Sequence, residues 1–228
     1  FLGIGSTASN EVKIEGEKSS NVHFAIDFLT GIQKRNLGNK NAQYINVEDK
    51  KVVVIGGGDT AMDCVRTSVR EGATSVKCLY RRDEANMPGS KKEVVNAKEE
   101  GVEFVFNVSP KSIKVENDLA VGVELLETSM SKSDTSGRQK VVLIEGSEYL
   151  EDADVIILAL GFSPEVPSFL KELNVETNSW GGIVVDSNFK TSNKKVYAGG
   201  DCQRGAHLAV TAAVDGREAA KTIIKELL

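Results

Sequence analysis

Three consecutive glycines at residues 56–58 constrain the fold of this 228-residue chain more than any other feature. They follow the β-branched segment 52–55, which is typical of a buried parallel strand. From Asp59 onward, apolar residues recur at helical spacing until Gly72, and residues 75–80 predict a second strand. A strand, a tight turn, a helix and a second strand in this order predict a right-handed crossover in a parallel sheet.

The remaining chain alternates between helix-like and strand-like segments. Residues 91–100 predict a helix that ends at Gly101, and the alternating residues 102–106 predict a strand. Further strands are predicted at residues 112–115, 120–126, 139–144, 154–160, 182–186 and 195–199. Little helix separates the strands up to residue 144, which indicates a small antiparallel excursion. The polar segment 129–137 predicts an exposed hairpin loop, and a final helix is predicted from about Ala206.

The glycine segment also predicts a ligand. Gly56 to Ala61 fits the G-x-G-x-x-G/A fingerprint of dinucleotide-binding turns. Gly56 permits the tight turn, Gly58 lets the backbone approach a pyrophosphate, and Ala61 lets the helix pack close to the strand. A purely structural turn is the alternative. The flanking strand, helix and second strand favour the nucleotide site.

Arg81 and Arg82 follow the second predicted strand, where the ribose of a bound dinucleotide is expected. NAD-binding proteins place an Asp or Glu at this point, whereas two guanidinium groups match a 2′-phosphate. The sequence therefore favours NADPH over NADH. The alternative is that the two arginines are a solvated loop pair.

A second ligand-binding pattern lies near the end of the chain. Residues 196–201 (VYAGGD) predict a strand that delivers Asp201 shortly before the final helix. Such a carboxylate can bind the ribityl hydroxyls of a flavin, and the N-terminus of the helix can stabilise the reduced ring. A turn carboxylate is the alternative for Asp201, and this motif alone leaves both open.

Charge, hydropathy and cysteine spacing exclude several classes of function. A net charge of -5 and a pI near 5.3 argue against nucleic acid as a partner. The longest strand-like apolar run, residues 155–160, is far shorter than the ~20 residues that span a bilayer, so no membrane segment is expected. Cys64, Cys78 and Cys202 form no CxxC pair, which argues against a metal site, an iron–sulfur cluster or a redox dithiol in this chain. We expect buried thiols in a reducing cytoplasm.

Two segments carry a family resemblance, residues 56–101 (GGGDTAMDCV to AKEEG) and residues 198–220 (AGGDCQRGAHLAVTAAVDGREAA). They closely resemble the small (β) subunits of NADPH-dependent glutamate synthases, and the similarity runs from Leu2 to the final helix. The resemblance implies an α/β flavoprotein of the glutathione-reductase type. In such a fold, a three-layer, Rossmann-like NADPH-binding domain with a parallel sheet and an antiparallel β-meander is inserted in an FAD-binding domain.

The resemblance also implies a domain division. Residues 1–30 would be a remnant of the FAD-binding domain and a linker, residues 31–160 the NADPH-binding domain, and residues 161–228 the C-terminal part of the FAD-binding domain. Two parts of the family have no counterpart here: the cysteine-rich region that handles iron–sulfur clusters and the fingerprint that binds the ADP half of FAD. The chain therefore resembles a C-terminal half, and we expect its FAD site to be incomplete.

Carried over by position, the resemblance assigns binding residues and no catalytic acid or base, because hydride transfer depends on orientation and electrostatics. The implied NADPH site comprises Gly56, Gly57, Gly58, Asp59, Thr60, Arg81 and Arg82. The implied FAD site comprises Gly161 and Pro164 beside the flavin, Gly200 and Asp201 at the ribityl chain, and His207, Leu208 and Ala209 facing the ring. His207 departs from the smaller polar or acidic residue expected in relatives, and we expect it simply to begin the helix.

The resemblance implies an oxidoreductase in which NADPH reduces FAD and electrons pass through iron–sulfur clusters to a partner. That partner would be a glutamate synthase large subunit, which forms glutamate from 2-oxoglutarate, or an equivalent electron acceptor. The alternatives are the same module in a dihydropyrimidine dehydrogenase-like or ferredoxin–NADP transhydrogenase-like assembly, and a non-catalytic NADPH-binding fragment. A thioredoxin reductase is disfavoured because the CxxC pair is absent.

Overall fold

The computed structural model describes residues 1–132 and 139–228, so most of the predicted loop at 129–137 lies outside the described residues. The chain forms two compact units. The central unit comprises Glu11–Leu160, and the flanking unit comprises Phe1–Asn10 and Gly161–Leu228.

The secondary structure is mixed. The strands are β1 (Ala8–Ser9), β2 (Val22–Phe24), β3 (Lys51–Ile55), β4 (Ser75–Tyr80), β5 (Glu103–Phe106), β6 (Val108–Glu116), β7 (Leu119–Met130), β8 (Val141–Leu143), β9 (Tyr149–Asp152), β10 (Val155–Leu158) and β11 (Phe162–Ser163). The helices are α1 (Ala25–Asn36), α2 (Asp59–Arg70), α3 (Lys91–Glu99), α4 (Phe169–Glu172), α5 (Asp201–Arg204) and α6 (Ala209–Leu227).

A five-stranded parallel sheet organises the central unit, in the order β2-β10-β3-β4-β5. Alternate side chains of β3 enter two different cores, because successive residues of a strand face opposite sides of its sheet. Val52 and Val54 pack in the cluster that includes residues of α1, α2 and α3. Val53 and Ile55 pack in the cluster that includes residues of the antiparallel strands β6 and β7. Full burial of each such side chain contributes about 1.5–3 kcal/mol.

The antiparallel strands form the third layer. β7 is the longest strand, and it pairs with β6 on one side and with β8 and β9 on the other. Helices, parallel sheet and antiparallel sheet thus confirm the predicted α/β, Rossmann-like fold class. β9 was not predicted, because Tyr149, Leu150 and the acidic residues after them lack a clear apolar alternation.

The central unit begins earlier along the chain than the domain start expected at residue 31. β2 pairs with β10, and α1 packs Phe28 and Ile32 into the helical core. These contacts place residues 11–30 with the parallel sheet rather than with the flanking segments.

The flanking unit has its own small core, which comprises Leu170, Val175, Ile183, Ala198 and Cys202. The strands predicted at residues 182–186 and 195–199 are wrong as continuous strands. Only isolated bridges form there among the described residues, such as Thr177 with Ile183 and Lys190 with Tyr197. Many of the backbone groups in these segments bond within short turns instead.

The three cysteines are free and buried, as the sequence predicts. Burial raises the pKa of the Cys78 thiol to about 12, so this side chain stays protonated and unreactive at neutral pH. Across residues 1–132 and 139–228, no helix is both long and apolar enough to cross a membrane.

Candidate functional site

Gly56 begins a tight turn directly after β3. Its φ of +149° lies in a region that side-chain-bearing residues rarely adopt, and a Cβ at this position would lie 2.2 Å from the carbonyl oxygen of Ala159. Its amide donates to the carbonyl of Leu79 at 3.1 Å. The position therefore requires glycine both for conformation and for space.

The next two glycines differ in what surrounds them. A Cβ on Gly57 would lie 2.4 Å from the Tyr80 ring, so the ring covers this residue closely. A Cβ on Gly58 would meet nothing within 4 Å, and Gly58 caps the start of α2 with extended backbone. The first N–H groups of a helix lack intrahelical partners and attract anions. The open space at Gly58 therefore suits a phosphate group.

Asp59 and Thr60 form the first turn of α2. The Asp59 carboxylate accepts a hydrogen bond from the backbone N–H of Ser90, with 2.7 Å between Oδ1 and N. Thr60 is half-buried beside it. The structure thus places both predicted residues at the helix start, with one carboxylate oxygen of Asp59 already bound by the chain.

Arg81 and Arg82 lie just beyond β4. β4 pairs with β3, the strand that leads into residues 56–58, here called the glycine turn. The backbone of the two arginines is fixed, because Thr128 Oγ1 donates to the Arg81 carbonyl at 2.9 Å and the Asn107 amide donates to the Arg82 carbonyl at 3.1 Å. The Arg81 side chain is exposed. Arg82 Nε is buried and has no hydrogen-bond partner among the described residues. A buried cationic donor without a partner is costly, and an anionic ligand would satisfy it.

Residues 83–90, here called the 83–90 loop, connect the two arginines to α3. Tyr80 Oη donates to the Asn86 carbonyl at 2.9 Å, and the Gly89 amide donates to the Gly57 carbonyl at 2.9 Å. Lys98 pairs with Glu84 at 2.7 Å. The loop is therefore tied to the glycine turn, to β4 and to α3.

In the flanking unit, Asp201 begins α5 directly after Gly200, whose φ is +76°. The Asp201 carbonyl accepts from Ser6 Oγ at 3.0 Å. The carboxylate oxygen Oδ1 is buried and lacks a partner in the described part of the chain. An unpaired buried acceptor fits a ligand hydroxyl.

Asp215 is a functional candidate that sequence reasoning missed. This buried carboxylate accepts from the Gly200 amide at 2.9 Å and from Arg204 Nε at 3.0 Å, and it forms an ion pair with the Arg204 guanidinium. Burial alone would raise its pKa, but the bonds from Arg204 and Gly200 outweigh burial and lower the pKa. The sequence signal that could have identified Asp215 is its spacing, because it lies one helical turn before Ala219 and therefore on the same buried face of α6.

The remaining predicted residues also lie in the flanking unit. Gly161 has φ +81°, and its carbonyl accepts from the Asn10 amide at 3.1 Å. Pro164 follows β11. His207, Leu208 and Ala209 are exposed at the start of α6, where His207 Nδ1 lies 2.8 Å from Thr211 Oγ1. The predicted site residues thus form two groups, one in each unit.

The sequence of the chain is similar to a known protein family and to curated relatives. The family described as pyridine nucleotide-disulphide oxidoreductase matches residues 1–216. The glutamate synthase [NADPH] small chain of Escherichia coli is 46% identical over 100% of this chain and 50% of its own length. The putative oxidoreductase AegA of the same organism is 44% identical over 98% of this chain and 35% of its own length. The chain spans about half the length, or less, of these curated relatives, and the resemblance expected from the sequence is confirmed.

Solved structures support the fold. FprA of Mycobacterium tuberculosis, in complex with NADPH, aligns with a TM-score of 0.78 at 17% identity. The alignment covers 99% of this chain and 63% of FprA. At this identity the similarity concerns the fold alone.

Proposed function

The chain belongs to the pyridine nucleotide-disulphide oxidoreductase family, and from that we propose that it is the NADPH- and FAD-binding part of a glutamate synthase small subunit. In this proposal, the central unit binds NADPH and the flanking unit contributes to FAD binding. The electrons then pass to a large subunit that forms glutamate.

The observation that carries the NADPH assignment is the buried Nε of Arg82, which has no hydrogen-bond partner among residues 1–132 and 139–228. Arg82 lies just beyond β4, the strand that pairs with β3, where the fingerprint places the adenosine ribose. A 2′-phosphate would accept from Arg82 and from the exposed Arg81, whereas a 2′-hydroxyl offers no comparable charge. The open space at Gly58, at the start of α2, would receive the pyrophosphate.

The flanking unit offers a corresponding fit for FAD. Asp201 Oδ1 is a buried acceptor without a partner in the described chain, and a ribityl hydroxyl would donate to it. The exposed residues Leu208 and Ala209, at the start of α6, would face the flavin ring. We assign Gly161, Pro164, Gly200 and His207 to the same site.

The chemistry supplied by bound FAD is acceptance of a hydride from NADPH and release of electrons one at a time. The side chains need not donate or accept a proton for this transfer. Their proposed work is to bind the two phosphate groups, to orient the ribose through Arg81 and Arg82, and to hold the ribityl chain through Asp201. In this proposal, iron–sulfur clusters would carry the electrons onward.

Nucleotide titration tests the NADPH assignment. We expect NADP⁺ to bind at least about tenfold more tightly than NAD⁺, because each charge-assisted hydrogen bond contributes about 1.5–3 kcal/mol. The Arg81→Ala, Arg82→Ala double variant should lose this preference while it keeps NAD⁺ affinity. Arg217→Ala, an exposed arginine of the flanking unit, is the matched control. Equal affinities in the wild-type chain would contradict the assignment.

A second candidate keeps the same cofactors but changes the partner. The 44% identity to AegA, a putative oxidoreductase, is almost as high as the identity to the glutamate synthase small chain. The module would then serve another electron acceptor, as in a dihydropyrimidine dehydrogenase-like or transhydrogenase-like assembly. Co-purification of this protein with a glutamate synthase large subunit favours the first candidate, and failure to associate favours the second.

A further inference from the structure

We propose that Asp59 is a positioning residue that fixes the 83–90 loop, and through it Arg81 and Arg82, for NADP(H). The inference rests on the proposed NADP(H) function of the central unit. It concerns the role of the Asp59 carboxylate, which the fingerprint alone would place against the pyrophosphate.

The first observation is the direction of the Asp59 side chain. A carboxylate at the start of a phosphate-binding helix would repel a pyrophosphate if it pointed into the site. Here Oδ1 is instead occupied by the Ser90 amide at 2.7 Å. Ser90 is the residue that caps the start of α3, so this one hydrogen bond joins the beginnings of α2 and α3.

The second observation is that the 83–90 loop closely contacts the glycine turn. Next to Ser90, the Gly89 amide donates to the Gly57 carbonyl at 2.9 Å, and a Cβ on Gly89 would lie 3.1 Å from that oxygen. Tyr80, whose ring covers Gly57, donates to the Asn86 carbonyl of the same loop. The Asp59–Ser90 bond therefore adds an anchor at the end of the loop, beside the contacts that Gly89 and Asn86 make with the glycine turn and with Tyr80.

The third observation is that the two arginines and the 83–90 loop are consecutive in the chain. Arg82 directly precedes the loop, and the backbone of the two arginines is anchored by Thr128 and Asn107 on one side. On the other side, the loop ends at the Asp59–Ser90 bond. Release of that bond removes one anchor from the segment that follows the two arginines, so the 2′-phosphate contacts should weaken more than the pyrophosphate contacts.

Two substitutions separate positioning from charge. Asp59→Ala removes both the charge and the acceptor for Ser90, whereas Asp59→Asn keeps an acceptor oxygen and removes only the charge. Positioning predicts that Asp59→Ala weakens NADP⁺ binding about tenfold and NAD⁺ binding less, so that the preference for NADP⁺ falls, and that Asp59→Asn restores most of the affinity. Asp63→Ala, an exposed acidic residue one turn further along α2, is the matched control.

A readout without nucleotide makes the test independent. Amide hydrogen exchange should be slow at Ser90 in the wild-type chain and in Asp59→Asn, and fast in Asp59→Ala, with melting temperatures recorded for each. The inference is overturned if Ser90 exchange is unchanged in Asp59→Ala, or if the Ala and Asn variants bind NADP⁺ equally. If the wild-type chain binds no NADP⁺, the proposed function fails and the inference falls with it. If the wild-type chain binds but Asp59→Ala binds equally well, the inference alone fails.

Discussion

The carbonyl oxygen of Ala159 fills the space beside Gly56, where any side chain would have to lie: a Cβ built on Gly56 comes within 2.2 Å of that oxygen. Ala159 follows β10, the strand that pairs with β3 in the parallel sheet. The backbone at the end of one strand thus limits the residue type in the glycine turn that follows the neighbouring strand. The requirement for glycine at residue 56 therefore follows from the pairing of β3 with β10.

The Gly56→Ala variant should destabilise the central unit. The φ of +149° and the contact with Ala159 both oppose a side chain, and we expect a loss of about 2–4 kcal/mol in the free energy of unfolding. Urea unfolding followed by far-UV circular dichroism measures it. An unchanged midpoint would show that the turn can relax around the new methyl group.

The Gly58→Ala variant should show the opposite behaviour. A methyl group at this position meets no atom within 4 Å, and its φ of -89° suits alanine. Alanine is a poorer N-cap than glycine but lowers the entropy of the unfolded chain, and since these effects oppose each other, stability should change by no more than about 0.5 kcal/mol. The same methyl group would occupy the space assigned to the pyrophosphate, so NADP⁺ affinity should fall at least about tenfold. Full affinity in this variant would place the phosphates elsewhere.

The sequence was most informative where the signals are local. The β-branched run, the glycine turn and the helical spacing after Asp59 lie within about one structural unit, and β3, α2 and β4 formed as predicted. β2 and α1 were not predicted as part of this sheet. Val22 to Phe24 is too short to carry a pattern of its own, and its strand character comes from pairing with β10, far along the chain.

In the candidate site, too, the sequence predicts local features but not the contacts between distant segments. The residue types of the glycine turn could be predicted from the fingerprint, because the fingerprint describes local requirements of the backbone. The partners of those residues could not be read. Only the fold brings these partners together: Ser90 with Asp59, the Tyr80 ring with Gly57, and the Gly200 amide with Asp215.

Glu100 should give the central unit an acid-sensitive source of stability. Hydrogen bonds from Arg66 and Arg70 hold the pKa of its carboxyl at about 2, below its usual value of 4.5. A group whose pKa is lower in the folded state stabilises the fold above its unfolded pKa, and this contribution is lost as the pH falls toward the folded pKa. The stability gap between the wild-type chain and Glu100→Gln should therefore be constant above about pH 5 and close toward about pH 2.

Melting temperatures of both chains across this pH range measure that gap. Glu99→Gln, which changes an exposed neighbour of Glu100, is the control and should show no comparable convergence. A gap between wild type and Glu100→Gln that does not change with pH would mean that the two arginines stabilise the chain through packing alone.

Asp215→Ala should destabilise the flanking unit. The substitution leaves the Gly200 amide and the Arg204 guanidinium without their acceptor, and we expect a loss of about 2–4 kcal/mol. Trp180 is the single tryptophan of the chain and lies in this unit, so its fluorescence reports local unfolding. An unchanged urea midpoint of Trp180 fluorescence would show that water replaces the carboxylate at little cost.

Asp201→Ala should separate ligand binding from stability in the same unit. Oδ1 of Asp201 is buried and accepts no hydrogen bond from the described residues, so its removal takes away a desolvated oxygen rather than a stabilising contact. The urea midpoint of Trp180 fluorescence should stay the same or rise, which corresponds to a gain of up to about 1 kcal/mol in the free energy of unfolding. Flavin affinity, measured by quenching of FAD fluorescence, should fall about tenfold, while NADP⁺ affinity, which depends on the central unit, should not change. A lower Trp180 midpoint would identify Asp201 as a turn carboxylate with a structural role, and that result would remove the main support for placing the ribityl chain at this residue.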